Sequence, residues 1–253
     1  KAWGLRIGFE ALAWGRHIND HRDAWEVVRR ADHSHVGLIL DSFHTLSRRI
    51  DPDTIRAIPG DKIFFVQLAD APLIDMDLFY WSRHFRNMPG EGELPVVDFM
   101  RAVSSTGYAG PLSLEVFNDQ FRGGSPVEIA RDGHRSLLAL MDDVRISEPD
   151  IRLPVPDMPP RAQCAGVEFI EFTTSEEEAA DLADFLAVRG FVHVGKHVSK
   201  KVMHWRQNEI NILINTEEFG FAHSAYQTHG TSVCDIAFRV DDAASTIERA
   251  RLL

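Results

Sequence analysis

The sequence has little cysteine, no long apolar run and no excess of basic residues. Its only two cysteines, Cys164 and Cys234, lack metal-ligand spacing, which argues against a disulfide framework and favours a reducing cytoplasm. No segment approaches the roughly 18 apolar residues of a membrane-spanning helix, and no leader-like segment opens the chain, so we expect no membrane partner. The net charge of −11 argues against a nucleic-acid partner.

The composition is that of an ordinary globular protein. Hydrophobic residues make up 44% and charged residues 26% of the 253 positions, enough to build cores. This length suits one large barrel or two smaller units, and we expect two domains. The chain starts at Lys1 and enters an apolar run almost at once, so we expect it to begin inside a larger protein.

The first 145 residues alternate apolar runs with helical patterns. This alternation is typical of βα units built around a parallel sheet. The predicted strands are LRIGFE (5–10), VGLILD (36–41), IFFVQLAD (63–70) and GPLSLEVF (110–117). The predicted helices cover about 20–31, 51–58, 96–107 and 125–144, with capping Asp, Ser and Pro residues at several of their starts.

A proline-rich stretch then separates two regions of different pattern. Residues 146–165 have no periodicity and read as a semi-rigid interdomain linker. Residues 166–253 give the order strand, helix and three strands, followed by a further strand and a starting helix. The predicted domains are therefore 1–145 and 166–253.

Each predicted strand of the first region ends in an oxygen-bearing side chain. Glu10, Asp41, Gln67 and Glu115 would meet at one face, because parallel strands of a barrel point the same way. Three carboxylates at close range repel one another without a cation, and a divalent metal such as Mg²⁺, Mn²⁺ or Co²⁺ suits these oxygen donors. Taken singly, each residue is more often a helix cap or a solvated loop residue, but four in succession favour a metal site.

Two residues of the third strand need partners of their own. The amide of Gln67 lies inside an apolar run, and a metal together with a hydrogen-bond partner would satisfy it. Asp70 is either a carboxylate that supports the metal ligands or a loop cap, and we favour the cap.

His44 follows Asp41 by three residues, in a predicted loop beside the proposed metal. Histidine moves protons near neutral pH, so His44 is a candidate acid/base, with a hydrogen-bonded loop histidine as the alternative. We expect four other histidines at the surface, namely His17, His21, His33 and His35. The long loop 78–95 contains Ser82 and Arg86, and an arginine there could hold a substrate carboxylate.

Several stretches together resemble the bacterial two-domain 3-dehydroshikimate dehydratases, relatives of the xylose isomerase-like barrels. They are GFEALAWGRHIND, GLILDSFHTLSR, FFVQLADAP, YWSRHFRNMPGEGELP and LSLEVFNDQFR. The resemblance implies a (β/α)₈ TIM barrel, of which the carboxy-terminal half is present here, followed by a βαβββ module of the vicinal oxygen chelate class. It implies Glu10, Asp41, Gln67 and Glu115 as ligands of a divalent metal, His44 as the catalytic acid/base, and Ser82 and Arg86 as substrate contacts.

The implied reaction is the loss of water from 3-dehydroshikimate to give protocatechuate, with the metal stabilising an enolate. Since half a barrel exposes strand edges, we expect the biological protein to be longer. In the module, Phe169 stands where the resemblance implies a metal-binding histidine, so we assign no metal there.

Three other functions remain open at this point. The same barrel could be a sugar or inosose isomerase/dehydratase. The module could be a catalytic dioxygenase with the barrel as scaffold, or it could serve binding or assembly alone. The sequence also leaves open which metal is preferred and whether the chain forms a homo-oligomer.

Overall fold

The computed structural model describes residues 3–151, 153 and 155–253. The chain forms two compact units, and the division falls between Met158 and Pro159. None of the helices in these described ranges combines the length and apolar character that crossing a bilayer requires.

The first unit is built on a four-stranded parallel sheet in the order β1-β2-β3-β4. The strands are β1 (Ile7–Phe9), β2 (Val36–Asp41), β3 (Ile63–Leu68) and β4 (Leu112–Leu114). Leu38, Leu40, Val66 and Leu68 are fully buried in the sheet. A near-continuous apolar strand is expected where helices and loops cover both faces of a parallel sheet.

Within the described residues, five α-helices accompany this sheet. They are α1 (His21–Ala31), α2 (Ser42–Leu46), α3 (Leu78–His84), α4 (Val96–Ser105) and α5 (Pro126–Ser147). Short 3₁₀ segments cover Pro52–Ala57, Gly60–Lys62 and Gln120–Gly123. Asp20 caps α1 through its carboxylate, and Pro126 occupies the first turn of α5, as their residue types predict.

Four local predictions are corrected by the structure. The segment after Asp51 is a 3₁₀ helix rather than an α-helix, and helix α3 lies inside the stretch predicted as a loop. His44 lies on the short helix α2 rather than in a loop. His21 is buried, because its ring contacts hydroxyl groups of Thr54 and Thr45 on neighbouring elements.

The second unit contains a five-stranded sheet in the order β6-β7-β8-β5-β9. Its elements are β5 (Cys164–Thr173), α6 (Glu176–Val188), β6 (Val192–Lys196), β7 (Val202–Gln207), β8 (Ile210–Asn215), α7 (Gly220–His229), β9 (Ser232–Val240) and α8 (Ala243–Leu252). Strands β5 and β8 are parallel, and the other pairs are antiparallel. The order of elements is the predicted βαβββ, to which the structure adds helix α7. Phe169 lies on β5.

Candidate metal centre

The four strands of the first unit end at the same edge of the sheet. Glu10 follows β1, Asp41 ends β2, and Gln67 is paired with Asp41 in the register of β2 and β3. Glu115 follows β4, and its backbone amide donates to the Leu68 carbonyl at 3.0 Å. Because parallel neighbours run in the same direction, the four predicted ligands come to one edge.

Carboxylate oxygens and one imidazole nitrogen lie close together at this edge. Glu10, Asp41 and His44 each offer one ligand atom within 4.8 Å of the others, and no other such trio of His, Cys, Asp or Glu occurs in the described part of the chain. The His44 Nε2 atom is 3.6 Å from Glu10 Oε1 and 3.9 Å from Asp41 Oδ2. Asp41 and His44 are buried, and Glu10 is half-buried.

A buried arginine contacts the same carboxylates. Arg86 is only 1% exposed, and its Nη1 donates to Asp41 Oδ2 at 2.8 Å and to Glu115 Oε2 at 3.1 Å. Its Nη2 and Nε donate to Ser82 Oγ at 2.7 and 3.1 Å. The guanidinium carbon lies 4.6 Å from the centre of the Phe43 ring, a cation–π distance. Both predicted substrate contacts therefore adjoin the carboxylate cluster.

Burial and mutual repulsion change the acidity of these carboxyl groups. Burial, followed by the charges of Asp41 and Glu115, raises the pKa of Glu10 to about 7 against the attraction of Arg86. Burial and the neighbouring Asp41 carboxylate raise the pKa of Glu115 to about 7 as well. Burial also opposes ionisation of Asp41, but Arg86 and His44 outweigh it and lower the pKa of Asp41. Near neutral pH the cluster binds protons that a cation would displace.

The donor set fits a divalent cation. The Oε1 atoms of Glu10 and Gln67 are buried and have no hydrogen-bond partner in the structure, so each has an unused lone pair. Three carboxylates and one amide are the hard oxygen donors that Mg²⁺ and Mn²⁺ accept. A cation bound by Glu10, Asp41, Gln67 and Glu115 would satisfy both unpartnered oxygens and relieve the repulsion among the carboxylates.

His44 is held beside the cluster by local structure. The Asp41 carboxylate accepts hydrogen bonds from the Phe43 and His44 amides at 2.6 and 3.3 Å, which starts helix α2 and places the ring. The Ala13 amide donates to His44 Nδ1 at 3.3 Å, so the neutral ring carries its proton on Nε2. Burial, opposed by Asp41 and assisted by Arg86, lowers the pKa of His44 to about 4. The ring is therefore neutral at pH 7.

The structure also places Trp14 beside His44, although the sequence analysis assigned no role to Trp14. The Trp14 ring meets the His44 ring edge to face at a centroid distance of 4.9 Å, and it meets Phe79 of α3 at 5.1 Å. Its position four residues after Glu10, in the loop that follows β1, was the available signal, since such loops carry barrel sites. Trp14 and Phe79 place apolar surface next to the imidazole.

Comparison with known proteins identifies both regions. Residues 1–140 match the family described as "Xylose isomerase-like TIM barrel", and residues 160–252 match "Hydroxyphenylpyruvate dioxygenase, HPPD, N-terminal". Two curated relatives, from Pseudomonas putida and Pseudomonas aeruginosa, carry the name 3-dehydroshikimate dehydratase. Each is 49% identical over 98% of this chain and 40% of its own length.

A solved structure has the same arrangement of regions. It is titled "xylose isomerase-like TIM barrel/4-hydroxyphenylpyruvate dioxygenase fusion protein" and matches with a TM-score of 0.88 at 49% identity, over 98% of this chain and 41% of that one. The chain thus spans about two fifths of the length of these relatives. The expected fold class and resemblance are confirmed. The chain belongs to the xylose isomerase-like TIM barrel family, and a hydroxyphenylpyruvate dioxygenase-like module follows the barrel segment.

Proposed function

We propose that the chain is part of a metal-dependent 3-dehydroshikimate dehydratase that forms protocatechuate and water. The observation that carries this proposal is the cluster of Glu10, Asp41, Gln67 and Glu115, with two unpartnered oxygens, beside a neutral His44 and a buried Arg86. The names of the two 49% identical relatives support the choice of substrate.

The proposed cation is Mg²⁺, Mn²⁺ or Co²⁺, held by the four oxygen donors. When bound, it supplies Lewis acidity towards the ketone and hydroxyl oxygens of the substrate, which favours loss of a proton from the carbon next to the carbonyl.

His44 is the proposed proton carrier. Because its ring is neutral at pH 7, it can accept the carbon-bound proton at Nε2 and then return a proton to the departing hydroxyl, so that the net loss is one water. Acceptance at Nε2 requires the ring's own proton to be on Nδ1, where the Ala13 amide now donates. That contact is long at 3.3 Å, and it must be given up when His44 acts as a base.

Arg86 is the proposed ligand of the substrate carboxylate. Its guanidinium is planar and always charged. Its Nη1 donates to Asp41 and Glu115, and its Nε and Nη2 donate to Ser82, so a substrate carboxylate would bind by replacing some of these contacts. Ser82 holds the Nε and Nη2 side of the guanidinium from helix α3 and thereby limits the orientations that Arg86 can adopt.

The test is the appearance of aromatic absorbance after 3-dehydroshikimate is mixed with the complete protein. We expect turnover with Mg²⁺ or Mn²⁺, its loss after chelation, and its return when the metal is restored. His44→Ala should lower kcat by on the order of 10²-fold or more, because a positioned proton carrier contributes about that much. The matched control is His229→Ala, which changes an exposed histidine of the second unit and should leave kcat unchanged. Wild-type turnover in His44→Ala with metal bound would disprove the assigned role.

A further inference from the structure

Asp70 is a buried carboxylate whose bonding pattern differs from that of the metal cluster. It is 2% exposed, and both of its oxygens accept backbone hydrogen bonds. Oδ1 accepts from Ala71 at 2.8 Å and from Leu94 at 2.9 Å, while Oδ2 accepts from Gly90 at 3.0 Å and from Gly92 at 3.1 Å. Four backbone N–H groups thus bind both oxygens of a side chain that is shielded from water. The structure favours the loop-cap interpretation of Asp70.

Three of these amides come from the segment that follows Arg86. The backbone of Asp70 also exchanges two hydrogen bonds with Asn87, at 2.9 and 2.8 Å, which forms an isolated antiparallel bridge. The segment 87–94 is therefore tied to the end of β3 through both the backbone and the side chain of one residue.

Steric constraints explain why this segment has glycine at positions 90 and 92. A Cβ on Gly92 would lie 2.3 Å from Asp70 Oδ1 and 2.6 Å from the Ala71 nitrogen, so only glycine allows the close approach. Gly90 has a φ of +90°, a left-handed conformation that favours glycine. The PGEG motif at 89–92 is therefore shaped to enclose the Asp70 carboxylate.

The same segment determines where Arg86 lies. Arg86 immediately precedes Asn87, its own amide donates to the Phe117 carbonyl at 3.1 Å, and its carbonyl accepts from Asn118 Nδ2 at 3.1 Å. One side of the Arg86 backbone is thus held by the residues after β4, and the other side by Asp70. A shift of about 1 Å in a group that binds substrate can cost on the order of 10²-fold in rate.

We propose that Asp70 is a positioning residue that fixes the Arg86 guanidinium by binding the amides of Gly90, Gly92 and Leu94. The inference rests on the proposed function in that Arg86 is taken to bind the substrate carboxylate. Asp70 is not one of the proposed metal ligands, and its oxygens bind backbone amides instead. Its effect on catalysis should pass entirely through Arg86.

The test compares Asp70→Asn with Arg86→Lys and with the double variant in the complete protein. Asp70→Asn turns one acceptor oxygen into an NH₂ group that faces amide donors, and we expect kcat/KM to fall by on the order of 10²-fold, with most of the loss in KM. If Asp70 acts through Arg86, the double variant should match Arg86→Lys alone. Losses that multiply, or an unchanged kcat/KM in Asp70→Asn, would overturn the proposal.

Two controls separate positioning from general destabilisation. Asp142→Asn alters another buried aspartate, one that pairs with Arg145 on α5, and should lower stability without changing kcat/KM. Gly92→Ala disrupts the same contact, because its Cβ would collide with Asp70 Oδ1. It should raise KM as Asp70→Asn does, and the double variant should show no larger increase. Normal kinetics in a folded Gly92→Ala protein would contradict the proposal.

A metal titration tests the coupling without turnover. Because Arg86 Nη1 neutralises Asp41 and Glu115, its displacement should lower the Kd for Mn²⁺. Asp70→Asn and Arg86→Lys should each lower this Kd, and the double variant should lower it no further than Arg86→Lys alone. A Kd that falls in Arg86→Lys but stays at the wild-type value in Asp70→Asn would refute the coupling. If the wild-type protein binds Mn²⁺ but does not convert 3-dehydroshikimate, the proposed function fails while this titration still decides the role of Asp70.

Discussion

At the scale of single residues, Gln67 shows how a local anomaly indicates a site. An amide in an apolar strand is costly unless its polar atoms have partners, and its Oε1 is buried without one. Burial, followed by the charges of neighbouring carboxylates, raises the pKa of Glu10 and Glu115. A bound cation would satisfy the Gln67 oxygen and relieve the repulsion among the carboxylates.

Replacement of Gln67 by methionine should have opposite effects on stability and metal binding. Without metal, Gln67→Met should raise the free energy of unfolding by about 1 kcal/mol, because a buried unpartnered oxygen is replaced by an apolar group of similar size. With metal, the variant should bind Mn²⁺ more weakly, since one donor is lost. Chemical denaturation and calorimetric titration measure the two effects.

Gln207→Met is the matched control. Gln207 lies in the second unit, and its Nε2 donates to the Arg189 carbonyl at 2.9 Å, so its NH₂ group has a partner. Its replacement should not stabilise the protein and should leave Mn²⁺ binding unchanged. Equal Mn²⁺ affinity in Gln67→Met and wild type would remove Gln67 from the ligand set.

At the scale of secondary-structure elements, His21 joins three of them. It is the first residue of helix α1. Its Nε2 lies 2.8 Å from Thr54 Oγ1 in the 3₁₀ segment Pro52–Ala57, and its Nδ1 lies 3.4 Å from Thr45 Oγ1 in α2. Burial lowers the pKa of His21 to about 4, with Asp20 opposing and Arg22 assisting. The neutral ring is thus part of the contact between these elements.

This burial predicts a loss of stability in mild acid. The folded-state pKa of about 4 lies below the ordinary value of 6.5, so the unfolded chain binds the proton first as the pH falls. The contribution of His21 to the free energy of unfolding is fully present above pH 6.5. It declines towards pH 4, by up to roughly 3 kcal/mol. His21→Gln should make that decline smaller, as measured by urea unfolding at pH 7 and pH 4.5. A part of the decline should remain, because the pKa of His44 is lowered to about 4 as well.

The exposed His134 on α5 offers a comparison for this experiment. His134→Gln should preserve the wild-type loss of stability between the two pH values. If His21→Gln loses as much stability as wild type does, the titration of His21 does not contribute to acid unfolding.

At the scale of the whole molecule, the two units have separate cores. The first is large and includes Phe43, Phe99 and Leu38. The second has a small buried set around Ile212 and Ile214, which includes residues of α6. The proposed metal centre belongs to the first unit alone, so metal binding should stabilise the two units unequally.

Chelation should therefore loosen one unit and leave the other unchanged. Removal of divalent metal leaves three carboxylates in mutual repulsion, and amide hydrogen exchange should accelerate in residues 36–46 and 63–70. Strands β7 and β8 should exchange at the same rate with and without chelator. Equal acceleration in both units would show a second metal site or a general effect of the chelator.

Much of the fold follows from local patterns. The four parallel strands, the Asp20 cap of α1 and the βαβββ order of the second unit match the predictions, because the spacing of apolar residues and the capping residues act over short distances. Helix α5 starts with Pro126 as predicted, but the side chain of Ser125 makes no capping hydrogen bond. Helices α2 and α3 were missed. Both are short, and α3 contains several aromatic residues, so tertiary contacts such as the 5.4 Å Phe43–Trp81 pair rather than propensity account for them.

The sequence by itself determined which oxygen and imidazole groups are available, since a polar residue at the end of an apolar run can be recognised without coordinates. Only the tertiary structure decided how they meet: that Arg86 lies between Asp41 and Glu115, that Ala13 orients His44, and that Asp70 binds the loop of 90–94. These contacts join residues distant in the chain, and such distances depend on the packing of whole elements rather than on any local pattern.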